Sequence, residues 1–139
     1  MTSTSESYEK KVEDVMHYGV ITCRTHTLLK EVVRIITDTD VHALVVVNDD
    51  GTVAGIMSHM DLLRRYGHNL LMVTAADVMT AKVITIAADA PVHEAVALML
   101  KHNIRRILVT EAGPHGELPI GVISTTDVIR DMRDQPWFW

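Results

Sequence analysis

Two short segments, GIMSHMD and GVISTTD, contain the polar residues whose types and spacing best suit ligand chemistry. Each places a serine three residues before an aspartate, at Ser58 and Asp61 in the first and at Ser124 and Asp127 in the second. Each follows an apolar stretch typical of a strand, so each serine falls where a helix would begin. A helix start offers backbone N–H groups to a phosphate, and a nearby carboxylate can accept hydrogen bonds from a ribose diol. The segments therefore favour binding of a nucleoside phosphate.

The same spacing also has a purely structural interpretation. In a capping box, Ser58 would accept a hydrogen bond from the backbone N–H of Asp61, and the carboxylate would reach back to the serine. The leading glycine would then mark a bulge or a close approach of two backbones. One isolated segment of this kind is more often a cap than a ligand site. The sequence leaves both interpretations open.

A duplication extends well beyond these segments. The motif Asp-Val-Met begins at Asp14 and recurs 63 positions later at Asp77, and Val-Ile-Thr recurs with the same shift. After Thr110 the shift becomes 66, because the stretch EAGPHGELP is longer than its counterpart. Gly, Pro and acidic residues mark that stretch as a surface turn. A change of register confined to a turn indicates two copies of one structural unit.

Each copy shows the same order of predicted elements. A short strand leads to a helix, over Leu28–Asp40 in the first copy and Pro91–His102 in the second, which shows apolar residues at helical spacing. A β-branched stretch, a turn and a second strand follow, and a last helix begins near Ser58 or Ser124. The pattern therefore predicts an α/β (α+β) protein with two β-α-β-β-α repeats.

These motifs, in their order, spacing and duplication, resemble those of paired CBS domains, also called a Bateman module. The resemblance extends from about Val12 to Arg130. It implies a first repeat over residues 8–70 and a second over 71–139, packed sheet to sheet with pseudo-two-fold symmetry. It further implies non-catalytic, regulatory binding of adenosine-containing ligands, and dimerisation of such pairs.

The resemblance also implies two composite clefts, each combining the serine and aspartate of one repeat with residues of the other. In the first cleft Asp127 would take the ribose hydroxyls, Arg106 would meet phosphate, and apolar residues would flank the base. The residues assigned to that cleft are Ile21, Val41, His42, Arg106, Ser124, Thr126 and Asp127. The residues assigned to the opposite cleft are Ser58, Asp61, Ile84, Ile104 and Arg105.

The two clefts differ at two equivalent positions. Thr126 supplies a hydroxyl where the first repeat has Met60, and Arg106 stands where the first repeat has Ala43. Both differences remove a phosphate-binding group from the Asp61 cleft. We therefore expect the Asp127 cleft to be the stronger site.

Composition narrows the class of protein. The formal net charge of −5 argues against a general nucleic-acid-binding role, which needs a basic face. The single cysteine, Cys23, fits a reducing compartment, and we expect a cytoplasmic protein without a membrane span. The eight histidines lack the spacing of a zinc site, and no nucleophile lies beside a base, so neither a metal nor a catalytic residue is expected.

Three functions stay open at this point. The leading one is a sensor that needs no cofactor, binds AMP, ADP or ATP, with NAD or S-adenosylmethionine as further candidates, and signals to an effector protein. The second is an oligomerisation scaffold of the same fold with degenerate clefts. The least favoured is a nucleotide hydrolase. The aromatic end, Pro136–Trp139, suggests a self-association contact such as that of a homodimer, although it could instead fold back onto its own module.

Overall fold

The computed structural model describes residues 9–134, which form two compact units. The Asp61 unit contains residues 20–83 and the hairpin tip 112–119, and the Asp127 unit contains residues 9–19, 84–111 and 120–134. In chain order the elements are α1 (Val12–Val15), β1 (His17–Tyr18), β2 (Thr22–Arg24), α2 (Leu29–Thr39), β3 (Ala43–Val47), β4 (Val53–Ser58), α3 (His59–Leu63), α4 (Ala75–Val78), β5 (Thr85–Ala87), α5 (Val92–His102), β6 (Arg106–Ala112), β7 (Glu117–Ser124) and α6 (Thr125–Arg133). The predicted β-α-β-β-α order is present in both repeats.

Each unit is built on its own small sheet. In the Asp61 unit the strand order is β2-β3-β4, with β2 parallel and β4 antiparallel to β3. In the Asp127 unit the order is β1-β7-β6-β5, with β5 parallel to β6 and β1 antiparallel to β7. The mixed α+β fold class expected from the sequence is therefore confirmed.

The long helices α2 and α5 follow from the apolar spacing seen in the sequence. Leu29, Val32 and Ile36 form the buried face of α2, at intervals of three and four residues. Helix α5 buries an equivalent face. Each helix ends at a residue in the left-handed conformation, Asp40 with φ 54° and Asn103 with φ 53°. Asp and Asn tolerate this conformation better than most residues, which explains where the helices stop.

Each unit has its own aliphatic core. In the Asp127 unit the buried cluster comprises Val12, Met16, Ile86, Ala95, Met99, Ile107, Val109 and Ile123. In the Asp61 unit it comprises Cys23, Leu29, Val32, Ile36, Leu44, Val46, Met57 and Ala75. The aliphatic residues that dominate the composition thus account for both cores.

Cys23 belongs to the Asp61-unit core, and burial raises the pKa of its thiol to about 11. Because the thiolate is the reactive form, native Cys23 should carry at least about 100-fold less thiolate at pH 8 than an exposed cysteine. We expect a thiol reagent such as Ellman's reagent to label the native protein correspondingly slowly. Labelling in urea provides the unfolded reference, and equal rates in both states would contradict this burial.

The leading segment of each repeat packs with the other repeat. Helix α1 begins the first repeat but lies in the Asp127 unit, where Val12 N–H donates to the Ala90 carbonyl at 2.8 Å. Helix α4 lies near the start of the second repeat but belongs to the Asp61 unit, where Ala75 N–H donates to the Thr27 carbonyl at 2.8 Å. The compact units therefore differ from the sequence repeats by an exchange of these two segments, and by the hairpin tip 112–119 of the second repeat, which belongs to the Asp61 unit.

The glycines of the repeated segments permit this exchange. A Cβ atom on Gly121 would lie 2.3 Å from the His17 carbonyl oxygen, and one on Gly55 would lie 2.8 Å from the Thr80 carbonyl oxygen. In both units the chain that follows the Asp-Val-Met motif pairs antiparallel with the strand at or next to its glycine, as shown by the pairing of Tyr18 with Gly121 and by the bridge between Thr80 and Ile56. Glycine is thus required by a close approach of two backbones.

Within residues 9–134, no helix is long and apolar enough to cross a membrane. The aromatic segment Pro136–Trp139, interpreted above as a self-association contact, lies outside the described residues.

Candidate functional site

Both Ser-x-x-Asp segments form capping boxes. Ser58 Oγ accepts from the Asp61 backbone N–H at 3.3 Å, and the Asp61 carboxylate accepts from the Ser58 N–H at 2.9 Å. In the second copy, Ser124 Oγ accepts from the Asp127 N–H at 3.2 Å and the carboxylate accepts from the Ser124 N–H at 2.8 Å. The structural interpretation of this spacing is therefore realised in both repeats.

The two carboxylates are nevertheless more enclosed than an ordinary cap requires. Asp61 is 4% exposed and Asp127 is 2% exposed. A buried carboxylate must be paired, and each of these has an arginine one helical turn further on. Arg64 Nη1 lies 3.2 Å from Asp61 Oδ1, and Arg130 Nη1 lies 3.5 Å from Asp127 Oδ1. Each unit thus holds one buried negative charge at a helix start, balanced by an arginine whose side chain is mostly exposed.

A further contact reaches each aspartate from the exchanged segment. Thr80 Oγ1 donates to Asp61 Oδ1 at 3.2 Å. At the equivalent position, directly after the Asp-Val-Met motif, His17 Nδ1 lies 2.9 Å from Asp127 Oδ1. The two aspartates therefore have equivalent partners from the exchanged segments, a threonine in the Asp61 unit and a histidine in the Asp127 unit.

None of these four partners of the aspartates is among the residues predicted for the clefts. Arg64 and Arg130 could have been found, because residues three positions apart on a helix face each other. The side chain of His17 is 72% exposed, and its ring also contacts the buried carboxylate of Asp127. The contacts of Thr80 and His17 could not be predicted, because no local sequence pattern indicates which unit the exchanged segments join.

The residues predicted for each cleft are divided between the two units. The Asp127 unit holds Arg106, Ser124, Thr126 and Asp127 of the stronger cleft and Ile84, Ile104 and Arg105 of the weaker one. The Asp61 unit holds Ile21, Val41 and His42 of the stronger cleft and Ser58 and Asp61 of the weaker one. The assignment of these residues to composite clefts therefore stays a prediction.

Within the Asp127 unit, Arg105 and Arg106, at the entrance to β6, lie beside the start of α6. The Thr125 backbone N–H donates to the Arg105 carbonyl at 2.9 Å, which ties the strand entrance to the helix entrance. Arg105, Arg106 and Thr126 are all exposed. Exposed guanidinium and hydroxyl groups near a helix N-terminus are suitable phosphate ligands.

In the Asp61 unit, a different set of side chains lies near the start of α3, which is equivalent to the start of α6. Val41 is half-buried, and its carbonyl oxygen lies 3.0 Å from His59 Nε2, while the rings of His42 and His59 are 5.6 Å apart. Met60, the counterpart of Thr126, is 58% exposed. These exposed groups include no arginine equivalent to Arg106. In the part of the chain that the structure describes, no three His, Cys, Asp or Glu residues are placed to hold a metal ion.

Comparison with known proteins gives the family. The CBS domain model matches residues 12–68 and residues 75–134. The chain is 30% identical over 122 residues to an uncharacterised protein of Methanopyrus kandleri, covering 86% of this chain and 61% of that one. It spans 22% and 32% of the length of two relatives from Methanocaldococcus jannaschii.

Solved structures share the fold over nearly the whole chain. One is a CBS domain pair in complex with 5′-methylthioadenosine and S-adenosyl-L-methionine, with a TM-score of 0.74 at 24% identity, covering 90% of this chain and 97% of that one. Another is CBSX2 in complex with AMP, with a TM-score of 0.74 at 23% identity, covering 88% of this chain and 96% of that one. The chain belongs to the CBS-domain family and carries two tandem copies of the domain.

Proposed function

We propose that this protein is a non-catalytic regulatory module that binds an adenosine-containing ligand of the AMP, ADP or ATP class. The observation that carries the proposal is the buried carboxylate of Asp127 at the start of α6, beside exposed Arg106 and Thr126. It combines an acceptor for ribose hydroxyls with donors for phosphate. Two proteins of the same fold were solved with adenosine-containing ligands, which supports this class of ligand.

In the proposed mode of binding, each group has one task. Asp127 accepts hydrogen bonds from the ribose diol, Ser124 and Thr126 lie near ribose or phosphate, and Arg106 meets phosphate. Ile21, Val41 and His42 belong to the Asp61 unit, and their contact with the base stays a prediction. NAD and S-adenosylmethionine, which also present adenosine, are further candidates, and no resident cofactor is required.

The ligand would act by shifting an equilibrium. A ligand changes the packing or the dimerisation of a protein only if it binds one arrangement better than another. We propose that an effector protein reads this change and that the module acts as a homodimer in the cytoplasm. A regulatory role agrees with the buried, high-pKa thiol of Cys23, which is a poor nucleophile.

A scaffold with degenerate sites is the alternative. One observation favours it: the capping boxes give Ser58, Asp61, Ser124 and Asp127 a structural role that needs no ligand. A scaffold would keep these residues for helix capping alone, and its oligomeric state would not respond to nucleotides.

A ligand screen by thermal unfolding separates the two proposals. AMP, ADP, ATP, NAD, S-adenosylmethionine and GTP are compared at millimolar excess. A ligand at about 100 times its dissociation constant stabilises the folded state by about 2.7 kcal/mol. The sensor proposal expects at least one adenosine ligand to raise the melting temperature by several degrees, with GTP as the matched control.

If no ligand raises the melting temperature, one further measurement is needed. Mass spectrometry of the supernatant of the denatured protein shows whether a nucleotide was already bound. Absence of any shift in protein free of nucleotide would contradict the sensor proposal and favour the scaffold.

A further inference from the structure

We infer that His17 competes with ligand ribose for the carboxylate of Asp127, and thereby acts as a specificity-determining residue of that site. The inference rests on the proposed function. His17 Nδ1 lies 2.9 Å from Asp127 Oδ1, within ion-pair distance of the carboxylate. The carboxylate is 1% exposed, whereas the histidine side chain is 72% exposed.

The hydrogen-bonding capacity of the carboxylate is already largely used. Oδ2 accepts from the Ser124 N–H at 2.8 Å, and Oδ1 faces both His17 and, at 3.5 Å, Arg130. A carboxylate offers about two lone pairs on each oxygen. A ribose diol that donates two hydrogen bonds therefore has to displace a partner from Oδ1. His17 makes the shorter contact and is the group that the diol must replace.

The other repeat shows that a histidine is not required at this position. Thr80 makes the equivalent contact with Asp61 at 3.2 Å, through a hydroxyl that can also accept a hydrogen bond. A threonine hydroxyl is small enough to remain beside a bound ribose and to bond with it. The larger imidazole, whose Nδ1 lies 2.9 Å from Asp127 Oδ1, has to move aside. Access to Asp127 therefore depends on displacement of the histidine ring, whereas the equivalent group beside Asp61 is a threonine hydroxyl that can remain.

The test compares His17→Thr with the wild type, using adenosine and 2′,3′-dideoxyadenosine as probes in calorimetric titrations. His17→Thr places in the Asp127 unit the residue that the Asp61 unit uses. We expect it to bind adenosine about tenfold more tightly, since the bulky imidazole no longer has to leave the carboxylate before the ribose diol can bind. Dideoxyadenosine lacks the diol and competes for no carboxylate oxygen, so its affinity should change by less than about twofold.

His93→Thr is the matched control. His93 is 71% exposed and pairs with the Glu9 carboxylate in the same unit, away from Asp127. This variant loses a histidine–carboxylate contact, as His17→Thr does, and should bind both nucleosides as the wild type does. Thermal unfolding of both variants checks that the fold is retained.

Several results would overturn the inference. An equal gain for both nucleosides would show a general structural effect, and an unchanged adenosine affinity would show that His17 does not compete. If adenosine binding is unaffected by His17→Thr but is lost in Asp127→Ala, the inference fails while the proposed site stands. If Asp127→Ala binds adenosine as tightly as the wild type, or if neither the wild type nor His17→Thr binds it, both the inference and the proposed site fail.

Discussion

Replacement of Asp127 by alanine is expected to weaken binding of an adenosine ligand by about 100-fold or more. Two hydrogen bonds from ribose hydroxyls to an ionised carboxylate would be lost, and each hydrogen bond to a charged group contributes about 1.5–3 kcal/mol. The carboxylate is almost completely buried, so water does not readily replace it as an acceptor. Calorimetric titration with the ligand identified by the screen measures this loss.

The same substitution also removes the aspartate half of a capping box, and this cost to stability has to be separated from the loss of binding. The Ser124 N–H loses the acceptor that it has at 2.8 Å, and loss of a cap costs about 1 kcal/mol of stability. Asp61→Ala is the matched control, because it removes an equivalent capping box from the other unit. Both variants should lose similar stability, and Asp127→Ala should lose more affinity. An equal loss of affinity in both would contradict the assignment of Asp127 as the stronger site.

Gly121→Ala should destabilise the fold by about 3 kcal/mol, at the upper end of the usual cost of overpacking. The added Cβ would lie 2.3 Å from the His17 carbonyl oxygen, which belongs to the backbone and cannot rotate away. The neighbouring Met16 Sδ, at 3.3 Å from the same Cβ, closes the space further. Strand β1 would have to separate from β7, which would also carry His17 away from Asp127.

Gly55→Ala provides the comparison for this substitution. Its Cβ would meet the flexible Met79 Sδ at 2.7 Å and the Thr80 carbonyl oxygen at 2.8 Å, a less severe clash with the backbone. In urea unfolding, the free energy of unfolding should therefore be lowest for Gly121→Ala, intermediate for Gly55→Ala and highest for the wild type. A Gly121→Ala variant as stable as the wild type would show that β1 does not pair closely with β7 at this glycine.

Much of the fold could be predicted because its signals are local. The apolar spacing of α2 and α5, the β-branched strands and the Ser-x-x-Asp caps each depend on residues within one or two turns of one another. The exchange of α1 and α4 between the repeats could not be predicted in this way. Its evidence is contact at long range, such as the hydrogen bond from Val12 to Ala90. Two copies of one motif do not indicate which copy each segment joins.

The site shows the same division between local and distant information. Ser58, Asp61, Ser124 and Asp127 stood out by spacing and duplication. His17 did not, since an exposed histidine in a short strand has no local signature of its partner. Its contact with Asp127 exists because β1, in the exchanged segment, pairs with β7 close to the start of α6. Site residues that come from a segment distant in sequence can be identified only from a three-dimensional structure.

The most direct test of the central claim is a calorimetric titration of AMP into wild-type protein shown by mass spectrometry to be free of nucleotide. The regulatory-module account predicts saturable binding with at least one site per chain, and GTP should bind more weakly. Absence of saturable binding of AMP, and of ADP, ATP, NAD and S-adenosylmethionine under the same conditions, would contradict the account.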